Sequence, residues 1–90
     1  MKNATIKTTF GNLLEVLDAK AYIEIFEAKD FDTFVNPVYE HIKRGKVYSI
    51  LSDSVFLAKY EYYRVTGVMV ALGKISVSIV NNEIFERADV

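Results

Sequence analysis

The stretch AYIEIFEA, residues 21–28, decides the fold class, because its apolar residues recur at every second position. Side chains of an extended chain point alternately to its two sides. One side receives Ala21, Ile23 and Ile25, and the other side receives Tyr22, Glu24 and Phe26. This period of two predicts a β-strand with one packed side, so the chain is expected to build a sheet.

A short helix is predicted immediately before this strand. Between Thr9 and Asp18 the apolar residues fall at the spacing of one helical face: Phe10, Leu13, Leu14 and Leu17. Thr8 or Thr9 can cap this helix, because a threonine hydroxyl accepts a hydrogen bond from a free amide of the first turn. The pattern therefore indicates about ten helical residues ahead of the strand.

A second helix is predicted over NPVYEHIKRGK, residues 36–46. Asn36 is a favoured N-cap, and Pro37 suits the first helical position, where its missing amide hydrogen costs no intrahelical bond. Gly45 suits the left-handed position after a helix, and basic side chains precede it, where they oppose the carbonyl end of the helix dipole. The buried side of its two turns would consist of Val38 and Ile42.

The segments around this helix are predicted as follows. Residues 29–36 have no sustained period and are expected to form a connection. Residues 47–51 resume strand character, and Ser-Asp-Ser at 52–54 favours a turn. The polar, acidic residues from about 83 onward are expected to fray.

Residues 55–80 are expected to form two or three strands that break near Gly67 and Gly73. A strand is preferred over residues 54–64, and a helix capped by Ser52 or Asp53 is the alternative there. In the last of these strands Ile75, Val77 and Ile79 alternate with two serines, which indicates one packed and one wet face.

Together these elements predict an α+β fold, with a small, mostly antiparallel sheet of four to five strands and two short helices on one face. A sheet must bury one face, and two amphipathic helices supply the cover. A chain of 90 residues is expected to form one domain over residues 1–90, because chains divide into domains only at greater length.

Composition and charge exclude several classes of protein. The net charge is −1, so no strong positive field concentrates nucleic acid around the chain. Cysteine is absent, which excludes disulfides, thiolate chemistry and sulfur-ligated zinc. The longest apolar run, residues 68–72, is far shorter than the roughly 20 residues that a membrane helix needs. A cytoplasmic protein without a membrane contact is expected.

Enzymatic chemistry has little support, because His41 is the only imidazole. A metal site would need carboxylates for all other ligands, and a serine–histidine arrangement would have to use this residue. At the end of the predicted second helix His41 has a plain structural role beside the dipole. No nucleophile elbow or phosphate-cradling glycine pattern occurs. We expect no enzyme, no metal and no cofactor, unless a deep pocket holds His41 beside a carboxylate.

Charged residues are unevenly distributed. Asp30 and Asp32 could share a hard cation, but a calcium loop needs more oxygen ligands and a glycine at its turn, so a solvated loop is preferred. Residues 15–32 carry six acidic side chains against two basic ones, and residues 41–80 carry the reverse. This polarity could support pairing with a partner, although neutralisation within one small fold is the preferred interpretation.

Two groups of residues are candidate contact surfaces: a tyrosine-rich segment and the basic end of the predicted second helix. Their members are Lys59, Tyr60, Tyr62, Tyr63 and Arg64, together with Lys43, Arg44 and Lys46. Rings next to cations can stack single-stranded bases, and tyrosine and arginine are enriched in protein interfaces. Packing of the rings in the core and sheet is the structural alternative. If the segment is a strand, Tyr62 and Tyr63 point to opposite faces, and the exposed one is the best contact candidate.

Four stretches succeed one another as a leucine-rich helix, a strand, a further strand after a short helix, and an alternating closing strand: FGNLLEVLD, YIEIFEA, VYSILSD and ISVSIVN. In this pattern, which covers about half of the chain, the protein resembles short phage and mobile-element proteins of Gram-positive and gut bacteria. Such proteins are mostly uncharacterised, and several small phage proteins bind host machinery. The resemblance implies an interaction role without naming a target or assigning a residue.

The expected function is therefore that of a small, intracellular, non-enzymatic protein-interaction module, such as a phage or mobile-element accessory factor that binds host machinery. Self-association into a homodimer is a further expectation, because the two edges of a sheet pair with other strands unless they are blunted. Single-stranded nucleic-acid binding through an aromatic-basic face is the alternative.

Overall fold

The computed structural model describes residues 8–30 and 38–81, which form an α+β fold with a four-stranded mixed sheet and three short helices. The α+β prediction is confirmed, with three helices in the described ranges where two were expected. The elements in chain order are α1 (Phe10–Val16), β1 (Tyr22–Asp30), β2 (Val38–Lys46), α2 (Val47–Leu51), α3 (Ser54–Tyr60), β3 (Arg64–Ala71) and β4 (Lys74–Val80).

The strands lie in the order β2-β1-β4-β3. β1 pairs with β2, and β3 pairs with β4, in antiparallel register, whereas the two central strands, β1 and β4, run parallel. A mostly antiparallel sheet was expected, and two of the three ladders are antiparallel. The β3–β4 hairpin closes through Leu72 and Gly73, whose φ angles are 54° and 77°. Positive φ at both central residues is the backbone of a type I′ turn.

The core lies between one face of the sheet and the three helices. On this helix-covered face Ile25 of β1 lies beside Val77 of β4, and Ile79 lies beside Val65 of β3. The predicted alternation in β1 and β4 is confirmed, because the odd-numbered residues of both strands pack against the helices. The helices contribute the buried side chains Phe10, Leu14, Val47, Ile50 and Tyr60.

Helix α1 agrees with its prediction. The Thr9 hydroxyl accepts a hydrogen bond from the amide of Asn12 at 3.3 Å, so Thr9 is the N-cap. Phe10 and Leu14 are fully buried, and the amide of Phe10 donates to the carbonyl of Tyr63 at 2.8 Å. Packing against α3 and the start of β3 holds a helix that is too short to be stable alone.

The helix predicted over residues 36–46 is wrong, because Val38–Lys46 is the edge strand β2. As an extended chain this segment pairs eight of its nine residues with β1, whereas a two-turn helix has little stability of its own. Lys43 pairs with Ile25 and His41 pairs with Phe26, so Ile42 is the extra residue of a bulge. The bulge interrupts the period of two that would have indicated a strand.

The strand predicted over residues 47–51 is also wrong, since this segment is helix α2. Val47 and Ile50, three residues apart, are both fully buried, so helical spacing brings both side chains to the core. Over residues 54–64 the preferred strand is wrong as far as Tyr60, and the helical alternative is confirmed. Asp53 caps α3, because its side chain accepts a hydrogen bond from the amide of Phe56 at 3.1 Å.

Some sequence expectations fall outside the described residues. These are the capping roles of Asn36 and Pro37, the solvated loop around Asp32, and the fraying expected from about residue 83. The described boundary also differs from the predicted connection over residues 29–36, because β1 continues to Asp30.

Candidate interaction surface on the open face of the sheet

The sheet face opposite the helices, here called the open face, carries the candidate site. The strand registers assign to it the even-numbered residues of β1 and β4 and their neighbours on the outer strands. At one end of this face Ala28 and Val80 are buried. The accessible part comprises Tyr22, Glu24, Phe26, Tyr39, His41, Arg44, Lys46, Gly67, Met69, Ala71, Lys74, Ser76 and Ser78.

A groove of about 420 Å³ runs across the open face between β2 and β3. Its prominent side chains are Phe26, Tyr39 and Met69, and nearly all of its accessible lining is apolar. An apolar concavity with few polar groups binds apolar side chains by removing both surfaces from water.

The groove exists because small residues lie in a row between large ones. Gly67 pairs with Ser78, and Ser78 pairs with Phe26 on its other side, so the surface is low at the first two positions and rises at the ring. A Cβ at position 67 would lie 3.1 Å from the Ser78 hydroxyl oxygen. That hydroxyl accepts a hydrogen bond from Thr66 at 2.9 Å, which holds the floor of the groove in place.

Charges border the groove on the β2 side and at the end nearest the hairpin turn. The Glu24 carboxylate lies 3.3 Å from the ammonium of Lys74 and 3.7 Å from Nε2 of His41. Arg44 is exposed opposite Glu24 on β2, and the Lys46 ammonium donates to a backbone carbonyl at 3.2 Å. The ion pairs of Glu24 join the acidic first half of the chain to the basic second half.

His41 lies on β2 rather than at a helix end, so the predicted dipole contact is wrong. Its ring packs edge-on against Phe26 at 5.1 Å, and its side chain is exposed rather than enclosed. His41 is not among the residues that line the groove. The described residues contain no group of three or more histidine or carboxylate side chains placed to hold a metal ion.

The predicted contact residues of the tyrosine segment do not form one surface. Tyr60 is buried in the core, and the Tyr63 ring packs edge-on against it at 4.9 Å. Tyr62 is 70% exposed, so of the adjacent residues Tyr62 and Tyr63 it is the accessible one. The Lys59 ammonium lies 5.2 Å from the centre of the Tyr60 ring, and Arg64 begins β3.

The predicted basic group is divided between the two faces of the sheet. Lys43 lies on the helix-covered face, where its ammonium is 2.6 Å from the Asp53 carboxylate and 5.2 Å from the centre of the Phe56 ring. Arg44 and Lys46 lie on the other side, so only these two border the open face.

Ion pairs shift two pKa values on the helix-covered side. The hydrogen bond from Lys43, and then the amide of Phe56, lower the pKa of Asp53 below its usual value. Hydrogen bonds to Glu40 and then to Glu27 raise the pKa of Lys29. Glu27 itself is buried, 3.3 Å from the ammonium of Lys29 and 3.5 Å from the Tyr60 hydroxyl. These contacts stabilise the fold and lie on the face of the sheet opposite the groove.

Sequence reasoning missed the groove residues. Phe26 was assigned to the polar side of β1, and an aromatic ring on a wet face is the signal that could have drawn attention to it. Met69 belonged to a strand of uncertain bounds, and Tyr39 was placed in a helix, so their proximity was not foreseeable without the strand register.

Within the described ranges no helix is long and apolar enough to cross a membrane. No protein-family model matches the chain, and comparisons with curated proteins and with solved structures give no significant match. Function is therefore inferred from the residues of the open face alone.

Proposed function

We propose that this protein is a non-enzymatic interaction module, and that the groove on its open face receives an apolar side chain of a protein partner. The observation that carries this proposal is the apolar groove of about 420 Å³, built from residues of all four strands. A sheet face that only contacts solvent needs no apolar concavity, because polar side chains are sufficient there. A role as a cytoplasmic phage or mobile-element accessory factor that binds host machinery fits the same activity.

Charge complementarity indicates the chemistry of the partner. Arg44 and Lys46 stand at the β2 border of the groove, and Glu24 is already shared between Lys74 and His41. The border is therefore positive in sum. A partner segment with one large apolar or aromatic anchor, followed within a few residues by aspartate or glutamate, would satisfy both the groove and its border.

The tip of the β3–β4 hairpin, at the end of the same sheet, supports a contact role as well. Leu72 is 97% exposed and has a φ of 54°, a conformation that costs a leucine roughly 1–2 kcal/mol. Asparagine or glycine would relieve this strain at no cost in burial. Strained backbone positions cluster at functional sites, so we place Leu72 at the rim of the contact surface.

Single-stranded nucleic-acid binding is the second candidate, and one observation favours it. The open face carries the rings of Tyr22, Phe26 and Tyr39 next to Arg44 and Lys46, and rings beside cations can stack bases. The net charge of −1 weakens phosphate attraction over the whole chain, and the apolar groove walls offer few donors. For these reasons the protein partner is preferred.

The test is selection of peptides from a displayed random library on the immobilised protein, followed by measurement of their affinity for variants. Selected peptides should share an apolar anchor and acidic flanking residues. Ser76→Phe fills the floor of the groove and should weaken their binding about tenfold or more. Arg44→Glu should weaken binding as well, by an amount that falls as salt increases.

The matched control is Val16→Ser, which removes an exposed apolar side chain from α1, away from the open face. Its binding should equal that of the wild type. Met69→Ser removes a wall of the groove and replaces Ser76→Phe if the latter loses its fold in thermal unfolding. Peptides that bind all variants equally would overturn the groove as the site. Tight oligonucleotide binding with a steep salt dependence, together with an empty peptide selection, would favour nucleic acid instead.

A further inference from the structure

We propose that β3 pairs with β3 of a second copy of this chain, in antiparallel register, so that two chains form one continuous sheet. This inference goes beyond the proposed function, because the partner is the protein itself and the contact is the sheet edge rather than the groove.

The two edges of the sheet differ in charge. The edge strand β2 carries Glu40, Lys43, Arg44 and Lys46 and is bent by a bulge at Ile42. Charges and bulges on an edge strand prevent pairing with other chains. The outer strand β3 has no such protection from residue 67 to the turn, because its register shift lies between Val65 and Gly67 and residues 67–73 contain no charged side chain.

Apolar side chains are exposed on both sides of this unprotected edge. Met69 is 67% exposed on the open face, and Val70 is 71% exposed on the other face, beyond the reach of the helices. Val68 and Leu72 are exposed as well. An exposed, uncharged and apolar edge strand is the kind of edge that pairs with another strand.

The hairpin determines which backbone groups of β3 point outward. In a two-residue hairpin the closing pair, here Ala71 and Lys74, exchanges hydrogen bonds, and pairs alternate from there. The backbone N–H and C=O of Met69 therefore point toward β4, and those of Val68 and Val70 point outward. Among the described residues, Thr8 and Thr9 pair only with Arg64 and Val65 at the start of β3. Residues 67–71, which follow the register shift, have no described strand beside their outer edge.

Self-pairing around a two-fold axis can satisfy these outward groups. If Met69 lies opposite Met69 of the second copy, Val68 lies opposite Val70 of that copy and exchanges backbone hydrogen bonds with it. This register uses residues 67–71 of β3 and avoids both the bulge near Thr66 and the turn. It places no like charges opposite each other, which would be destabilising. The axis is perpendicular to the sheet, so both open faces lie on the same side.

Single cysteines test this register, since the chain has no cysteine of its own. In the proposed dimer Met69→Cys brings two Cα atoms to about 4.5 Å, the spacing of a non-hydrogen-bonded pair, which lies within the range that a disulfide spans. Leu72→Cys is the control. It is more exposed than position 69, but in this register it lies about 20 Å from its mate.

Mild oxidation should convert Met69→Cys to a covalent dimer while Leu72→Cys stays largely monomeric. Equal crosslinking of the two variants would indicate random collision and would overturn the register. No crosslink in either variant would overturn the pairing of β3.

Sedimentation of the full chain without cysteines measures the association itself. Because the paired segment is short, we expect a dimer that forms between micromolar and millimolar concentration, as transient interfaces do. Val70→Lys introduces the charge that natural edge strands use as protection and should raise the dimer dissociation constant about tenfold or more. Val55→Lys makes the same change at an 81% exposed site on α3 and should leave it unchanged.

The outcomes separate this proposal from the function proposed above. A monomer at every concentration overturns the dimer. A dimer that Val70→Lys leaves intact overturns the contact through β3. Ser76→Phe, which fills the groove, should leave the dimer intact, so failure of peptide binding and failure of dimerisation are distinguishable.

Discussion

Replacement of Leu72 by asparagine should make the protein more stable, although leucine is the more hydrophobic residue. Leu72 has a φ of 54° and is 97% exposed, so the substitution removes backbone strain and loses almost no burial. A left-handed conformation costs an ordinary residue roughly 1–2 kcal/mol, and asparagine tolerates it. We expect a gain of about 1 kcal/mol, which raises the melting temperature by about 4–8 °C in a domain of this size.

Urea unfolding at low protein concentration is the appropriate assay, because dimerisation would add to apparent stability. The midpoint should rise and the slope should stay constant, since the surface exposed on unfolding is unchanged. Ala71→Asn is the matched control, because it adds the same side chain one residue earlier, within a strand that disfavours asparagine. It should give no gain. If both variants are equal to or less stable than the wild type, Leu72 is not strained and the reasoning fails.

The same substitution should weaken binding of the selected peptides, because the proposed contact surface includes Leu72. Stability and affinity would then change in opposite directions, which general damage to the fold does not produce. A variant that is more stable and binds as tightly as the wild type would remove Leu72 from the contact surface. It would leave the groove untouched.

Three further substitutions test the fold. Phe10→Ala removes a fully buried ring that packs edge-on against Phe56 at 6.0 Å, and chemical denaturation should show a loss of about 3–5 kcal/mol. Gly73→Ala should lower the free energy of unfolding by roughly 1–2 kcal/mol, because the φ of 77° strains alanine although no atom lies within 4 Å of the new Cβ. Because Lys43 lowers the pKa of Asp53, the ionised carboxylate stabilises the folded state above its unfolded pKa, and this contribution is lost as pH falls through the folded value. Asp53→Asn should therefore be less stable than the wild type at neutral pH, and urea midpoints measured at decreasing pH below about 4 should show the difference shrinking.

The elements that could be predicted from sequence are those whose period survives in the fold. In α1, Phe10 and Leu14 lie on one helical face that reaches the core, and in β4 the alternation of Val77 and Ile79 with serines is uninterrupted. Both patterns depend on one buried surface. A single hydrophobic period is then sufficient to identify the element.

The stretch from residue 36 to residue 60 was mistaken because local signals and tertiary contacts disagree there. Gly45 has a positive φ of 148° inside β2, so a glycine that suits a helix end instead occupies a strand position whose φ other residues rarely adopt. Val47 and Ile50 are residue types that favour strands. Both are buried in the core, but at the spacing of a helix. Only Asp53 carried a correct local signal, as the cap of α3.

The candidate site was less predictable than the fold. Phe26, Tyr39 and Met69 come from three different strands, and their proximity depends on the strand order and on bulges that shift the register. Neither property is encoded in a local pattern. The predicted contact residues failed to assemble for the same reason: a helix in place of a strand buried Tyr60, and a strand in place of a helix separated Lys43 from Arg44.

The parallel ladder at the centre of the sheet has a consequence for how the chain reaches its native state. Both antiparallel hairpin ladders join segments that are near in sequence, whereas Tyr22 and Lys74 are paired across about fifty residues. The loop between them must be closed before this ladder contributes any favourable contact. Pairing of β1 with β4 is therefore expected to be the slow step of folding. Until it occurs, each hairpin has two unpaired strand edges that neighbouring chains can contact.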